Sequence, residues 1–233
     1  MDRLPYSIAD LNKIFASPVY RDAKRWTAGG GEAAFWIPLI GLFTGARLEE
    51  IGQLLIEDIR TENDIIYFDF IEFDDEAESV GIDVEEKSVK THNARRKVPV
   101  HPILIEHGLP RYVANLKTDG FRHLFPALKE YRGRRTHNWS KWWARYTDQF
   151  VTKSARKVFH SFRHLFADRL RNIFGREEII KPLMGHAAHM YGQVISLEKR
   201  YEIICKLDFP GLDLTYVRAA ADGLFQDKIK TLS

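Results

Sequence analysis

The sequence predicts a mainly α-helical domain with a small three-stranded antiparallel β-sheet, an α+β class, and four stretches carry that expectation. FWIPLIGLFTGARLEEIGQLLIEDI, residues 35–59, is almost wholly apolar and too long for a strand, so it reads as buried helix. DIIYFDFIEF, residues 64–73, is rich in β-branched and aromatic types, and EKSVKTHNARRKVPV, residues 86–100, folds back on a turn at His92-Asn93; both read as strand. Phe162, Leu165, Phe166, Leu170 and Ile173 recur at helical spacing near the far end of the chain.

Taken in order, residues 1–4 read as the remnant of a linker, and Ser7 reads as the N-cap of a helix that presents Ile8, Leu11, Ile14 and Phe15 on one face. Gly29-Gly30-Gly31 is a turn; no Gly-Lys-Ser follows it, so it is not a phosphate loop. The long apolar stretch breaks at Thr44-Gly45-Ala46, and a second helix begins near Arg47. The acidic run 74–78 reads as a solvated loop. Strands at 88–90 and 96–98 then join 64–73 in the sheet. Beyond Pro102 the pattern is helical again over 103–116, over 121–128, and over an amphipathic 139–150 carrying Trp142, Trp143 and Tyr146, with Arg132, Arg134 and Arg135 in the preceding loop. A further helix begins at Ser196, and a tail from about 212 to 233 carries Leu214, Val217, Leu224 and Ile229 as an apolar stripe.

Composition narrows the function classes. A single cysteine, Cys205, excludes a disulfide framework and a cysteine-built metal site. No apolar run approaches the roughly 20 residues that span a bilayer, and the start lacks a signal peptide, so a cytoplasmic protein without membrane partners is expected. The net charge of +3 is small, but it is unevenly spread. Residues 49–86 hold 15 acidic side chains and one basic, Arg60, whereas 87–171 hold 20 Lys or Arg and five acidic. A basic block of that extent is the footprint of a phosphate backbone, or else a solvated surface that balances the acidic segment.

Within this frame a few polar residues stand where packing gives no reason for them. Arg47 lies among Leu42, Phe43, Leu48 and Ile51, and is costly to bury without a partner or a bound anion; Glu50, one turn on, is a candidate partner. His160 and Arg163, three apart, share a helix face beside an apolar seam already filled by other residues. His186 follows at Met184-Gly185-His186. The other histidines show no metal-ligand spacing.

Four separated pieces, TGARLEEI, VKTHNARRKVPVHP, FHSFRHLF and LMGH followed by a tyrosine, occur in an order that resembles the catalytic domain of tyrosine recombinases. The likeness extends from Pro5 to about Leu214. It is nearest to the integrases of phages and genomic islands, through VPVHP, the Tyr-Gly after the histidine box, and KLDFPGL. The resemblance implies the integrase catalytic-domain fold over 1–233, a fragment lacking the family's N-terminal DNA-binding domains, and site-specific cleavage and rejoining of DNA through a 3′-phosphotyrosine, for integration or excision of a mobile element. It implies Arg47, Lys90, His160, Arg163, His186 and Tyr191 as catalytic residues, with Glu50 in support, although Lys87 and Lys97 share the hairpin of Lys90. The family segment between the last histidine and the tyrosine is longer than the four residues found here, so Tyr201 is the alternative nucleophile. No metal and no cofactor are implied. The implied partners are double-stranded DNA at attachment sites, a second protomer through the C-terminal tail, and accessory directionality or DNA-bending proteins. A type IB topoisomerase-like strand transferase and a non-catalytic DNA-binding module are the alternatives.

Two planar guanidinium forks suit the non-bridging oxygens of a phosphodiester, whose charge grows in a pentavalent transition state. Imidazoles suit proton handling near neutral pH, and a tyrosine with an ordinary pKa of about 10 needs a cationic site to attack as phenolate.

Overall fold

The computed structural model of the chain describes residues 3–71, 95–185 and 195–218, and within them helices pack around one buried helix and beside a small sheet. Helix α1, Ile8–Phe15, is capped as expected: the Asp10 N–H donates to Ser7 Oγ at 3.1 Å and the Ser7 N–H donates to Asp10 Oδ2 at 2.8 Å. Its Leu11, Ile14 and Phe15 are buried. After the short α2, Pro18–Arg21, and the glycine turn comes α3, Ala33–Thr44, in which every residue is buried. A helix that is apolar all round has no solvent face to offer and must be surrounded.

α3 ends at Gly45 in the left-handed conformation, φ 62°, and the next helix, α4, Leu48–Gly52, starts directly after Arg47. Both elements and the break at Thr44-Gly45-Ala46 agree with the sequence pattern. The apolar texture of 53–59 does not continue as helix. It turns through a 3-10 element, Ile56–Asp58, into a strand β1, Ile59–Glu62, that periodicity does not reveal. β1 pairs antiparallel with β2, Ile65–Ile71, across Asn63 and Asp64, whose φ values of 50° and 61° match the mirror-image turn that suits the twist of two hairpin strands. β3, Arg95–Pro99, lies antiparallel on the other side of β2, giving the order β1-β2-β3. The described sheet is therefore three-stranded and antiparallel, with 59–62 as its third strand; the expected strand 88–90 lies outside the described residues.

Helices α5, Pro102–Glu106, and α6, Leu109–Thr118, occupy the stretch expected as one helix. Gly108, with φ 90°, interrupts it and starts α6. Residues 121–128 are not helical, since Leu55 and His123 form an isolated bridge instead and the Leu124 N–H donates to Leu54 O at 2.9 Å. α7, His137–Phe150, buries Trp139, Trp142, Trp143 and Tyr146. α8, His160–Phe174, packs along α3. The approach is close: a Cβ on Gly41 would lie 2.6 Å from Phe159 Cζ, and one on Gly45 would lie 2.5 Å from Phe166 Cδ1. α9, Glu177–Met184, ends at Gly185, and α10, Leu197–Cys205, is capped by Ser196. Arg200 of α10 donates to Lys97 O at 2.7 Å and to Ile195 O at 3.1 Å, which ties α10 to β3. No helix among the described residues is long and apolar enough to cross a membrane.

Candidate functional site

The turn between α3 and α4 sets the first part of the site. Thr44 Oγ1 accepts from the Ala46 N–H at 3.2 Å, which helps the chain leave α3, and Arg47 is extended, φ −68° and ψ 154°, as the N-cap of α4. Its backbone N–H donates to Glu50 Oε2 at 2.7 Å and its Nη1 donates to Glu50 Oε1 at 2.9 Å. The Arg47–Glu50 pairing expected from their spacing is thus present. Glu50 is fully buried and has a second cationic neighbour that the sequence reading did not identify. Arg96, also buried, reaches across from β3 and donates Nη1 to Oε1 at 2.9 Å and Nη2 to Oε2 at 2.6 Å. Four N–H groups meet one carboxylate, which has about four acceptor positions to give. Burial by itself would raise the Glu50 pKa; the hydrogen bonds and charge of Arg96, followed by those of Arg47, outweigh it and hold the carboxyl at about 2.

Glu49 faces another way. Its carboxylate accepts from the backbone N–H groups of Arg135 at 2.7 Å and Thr136 at 3.0 Å, and from the Thr136 hydroxyl. Thr136 precedes the first residue of α7, so the two acids of α4 clamp α7 on one side and the sheet on the other. The turn that carries Arg47 is held by both.

Arg163 comes from the first turn of α8 and is buried. Its Nη1 donates to Gly45 O at 2.7 Å, and its Nη2 donates to Met184 O. It therefore bridges the α3–α4 turn, two residues before Arg47, and the end of α9, two residues before His186.

His160, one turn earlier on α8, lines a cleft of about 530 Å³ together with Arg3, Arg47, Arg134, His137 and Lys141. Arg3 is fixed there by a hydrogen bond from its Nη1 to Ala155 O at 2.7 Å. The one acidic side chain among the described residues that line this cleft, Glu49, has its oxygens engaged by the start of α7. The cleft is therefore basic, suited to an anion with several oxygens. His160 reports that field: burial first, then the nearby His164, Arg163, Arg47 and Arg3, lower its pKa to about 4. At neutral pH it is an uncharged imidazole. Its ring stands edge-on to that of His164, 4.8 Å away.

Arg47, Glu50, His160 and Arg163 thus converge from two distant stretches. Lys90, His186 and Tyr191 lie outside the described residues. Tyr201, the alternative nucleophile, is on α10 and packs beside Ile65, Tyr67 and Leu197 at the sheet. It is not among the described residues that line the cleft. Arg96 and Glu49 are the participants that the sequence reading missed. In sequence Arg96 is one charge of a basic run; in β3 it stands opposite Phe70 and alternates with Val98 on the buried face of the strand, where an arginine requires a buried acceptor.

Comparisons with protein-family models, with curated proteins and with solved structures find no match to this chain.

Proposed function

We propose that this chain cleaves and rejoins DNA strands in the manner of a tyrosine recombinase, with the basic cleft receiving the scissile phosphate. The observation that carries the proposal is the convergence of Arg47 and His160 on one basic cleft, with Arg163 bonded to the turn that holds Arg47. In this reading Arg47 and Arg163 stabilise charge on the non-bridging oxygens as five-coordinate phosphorus develops. The phenolate of Tyr191 forms a bond to phosphorus, and the 5′-oxygen leaves with a proton from Lys90. Attack by a 5′-hydroxyl on the phosphotyrosine reverses these events and restores the tyrosine. His160, neutral at working pH, accepts or donates a single hydrogen bond at the phosphate or the nucleophile, and His186 adds a second imidazole. The energy of the broken diester is kept in the phosphotyrosine, so the scheme uses no metal and no nucleotide. Attachment sites on a mobile element, met in the cytoplasm with accessory DNA-bending proteins, are the substrates that fit the family likeness.

A second reading, a DNA-binding module that does not cut, is favoured by Arg163, two of whose N–H groups are engaged by the Gly45 and Met184 carbonyls. Nicked suicide duplexes carrying the attachment site separate the two. A covalent protein–DNA adduct that is lost in Tyr191→Phe supports the proposal. An adduct that survives Tyr191→Phe and vanishes in Tyr201→Phe moves the nucleophile to α10. Binding without any adduct leaves the module.

A further inference from the structure

The Glu50 carboxylate raises a question of charge and geometry that the roles above do not answer. A buried carboxylate beside Arg47 could swing to close a two-pronged pair on that guanidinium and draw it back from the cleft. In the structure it is held from doing so. Both oxygens are engaged from the sheet side by Arg96, at 2.9 and 2.6 Å, and Oε2 also accepts the Arg47 backbone N–H at 2.7 Å. That leaves the Arg47 side chain a single bond to Glu50, through Nη1 to Oε1 at 2.9 Å. Arg96 is itself fixed: it stands on β3 opposite Phe70, its guanidinium 5.1 Å from the centre of that ring, and it is 5% exposed.

We propose that Arg96 is a positioning residue of the cleft, which locks the Glu50 carboxylate in an orientation that aims Arg47 at a phosphate instead of letting the carboxylate close upon it. Arg96 acts through Glu50 and touches no substrate. The role rests on the reading of Arg47 as a phosphate ligand. Strand β3 also ties α4 to α10, since Arg96 reaches Glu50 of α4 while the Lys97 carbonyl accepts from Arg200 of α10.

The test compares Arg96→Met, Arg96→Lys and the double variant Arg96→Met with Glu50→Gln, each used well below its melting temperature. In Arg96→Met the carboxylate is released onto Arg47, so single-turnover cleavage of the suicide duplex falls by about 100-fold, the scale of one lost transition-state contact, while the dissociation constant for the duplex changes by less than about threefold. Lysine restores part of the rate, because it returns the charge without the fork. Glutamine at position 50 cannot form the closed ion pair, so the double variant cleaves at least about tenfold faster than Arg96→Met alone. A purely structural role predicts the opposite, a double variant no better than the single one, and that result overturns the proposal.

A second measurement separates this proposal from the cleavage reading. Inorganic phosphate is titrated into each protein while the ¹⁵N-labelled Arg47 guanidinium is observed by NMR. The expected result is binding in the wild type, at least about tenfold weaker in Arg96→Met and regained in the double variant. Equal phosphate affinity in wild type and Arg96→Met refutes the positioning role. If phosphate binds in this pattern and the wild type forms no DNA adduct, the cleavage reading falls while the role of Arg96 stands.

Discussion

Replacing Glu50 by Gln keeps the shape of the side chain and removes the charge that two arginines share. The pKa of this carboxyl falls from an ordinary 4.5 to about 2 in the folded protein. At about 1.4 kcal/mol per tenfold change in proton affinity, the ionised form contributes about 3 kcal/mol to stability at neutral pH. Because the folded-state value is the depressed one, that contribution is complete above pH 4.5 and is lost as the pH falls toward 2. Glutamine removes it at every pH and leaves the guanidinium of Arg96 buried against a neutral amide, so the loss at pH 7 lies at about 3–5 kcal/mol, the scale of a broken buried pair. For a chain of 233 residues this corresponds to a melting temperature lower by about 6–15 °C. Urea denaturation of both proteins at pH 7, 5, 4 and 3 is the assay. The gap between them should be widest at neutral pH and narrow below pH 4.5. A gap under about 1 kcal/mol at pH 7, or one of constant size down to pH 3, would refute the account of Glu50 as a buried, ionised anchor.

Two further outcomes follow from the same geometry. Gly45→Ala puts a side chain on a residue with φ 62° and its Cβ 2.5 Å from Phe166, so strain and overpacking together should cost about 2–4 kcal/mol in urea denaturation; a loss below about 1 kcal/mol would mean that α3 and α8 can part at this turn. His160, held at about 4 against an ordinary 6.5, should remain neutral by NMR down to pH 5. Its depressed value means that protonation opposes folding, so its effect is a loss of stability as the pH falls from 6.5 toward 4. Saturating inorganic phosphate should raise its pKa, and an unchanged titration with phosphate present would place the anion elsewhere.

What the sequence made legible and what it hid follow from the range of the interactions involved. Ser7 with Asp10, the glycine break before Arg47, and the stripe on 160–173 are decided within a turn or two of chain, and each lies where local pattern puts it. The strand at 59–62 was hidden because Leu54, Leu55, Ile56 and Ile59 prolong a helical texture. The decision rests instead with Asn63 and Asp64, which accept left-handed backbone and so close a hairpin. The single helix expected over 103–116 failed for a like reason, since Gly108 at φ 90° turns the chain between α5 and α6.

The site shows the same division at longer range. Arg47 and His160 were visible because a cation or imidazole beside apolar neighbours contradicts its local setting, and that contradiction can be read from a few residues. Arg96 contradicts nothing locally: it sits between Arg95 and Lys97, as one more charge in a basic run. Its reason is Glu50, 46 positions earlier in the chain, and only the pairing of β3 with β2 turns Arg96 inward toward that carboxylate. Under the proposed function Arg47 and His160 meet a phosphate, and polar groups placed for that purpose beside apolar neighbours are conspicuous in sequence. Arg96, whose two Nη groups are bonded to the Glu50 carboxylate, becomes visible only when the fold is known. The cations and carboxylates of other basic strands are therefore best judged by the face they present in the sheet, and in this chain that criterion separates Arg96 from Lys97, which turns outward to Glu62.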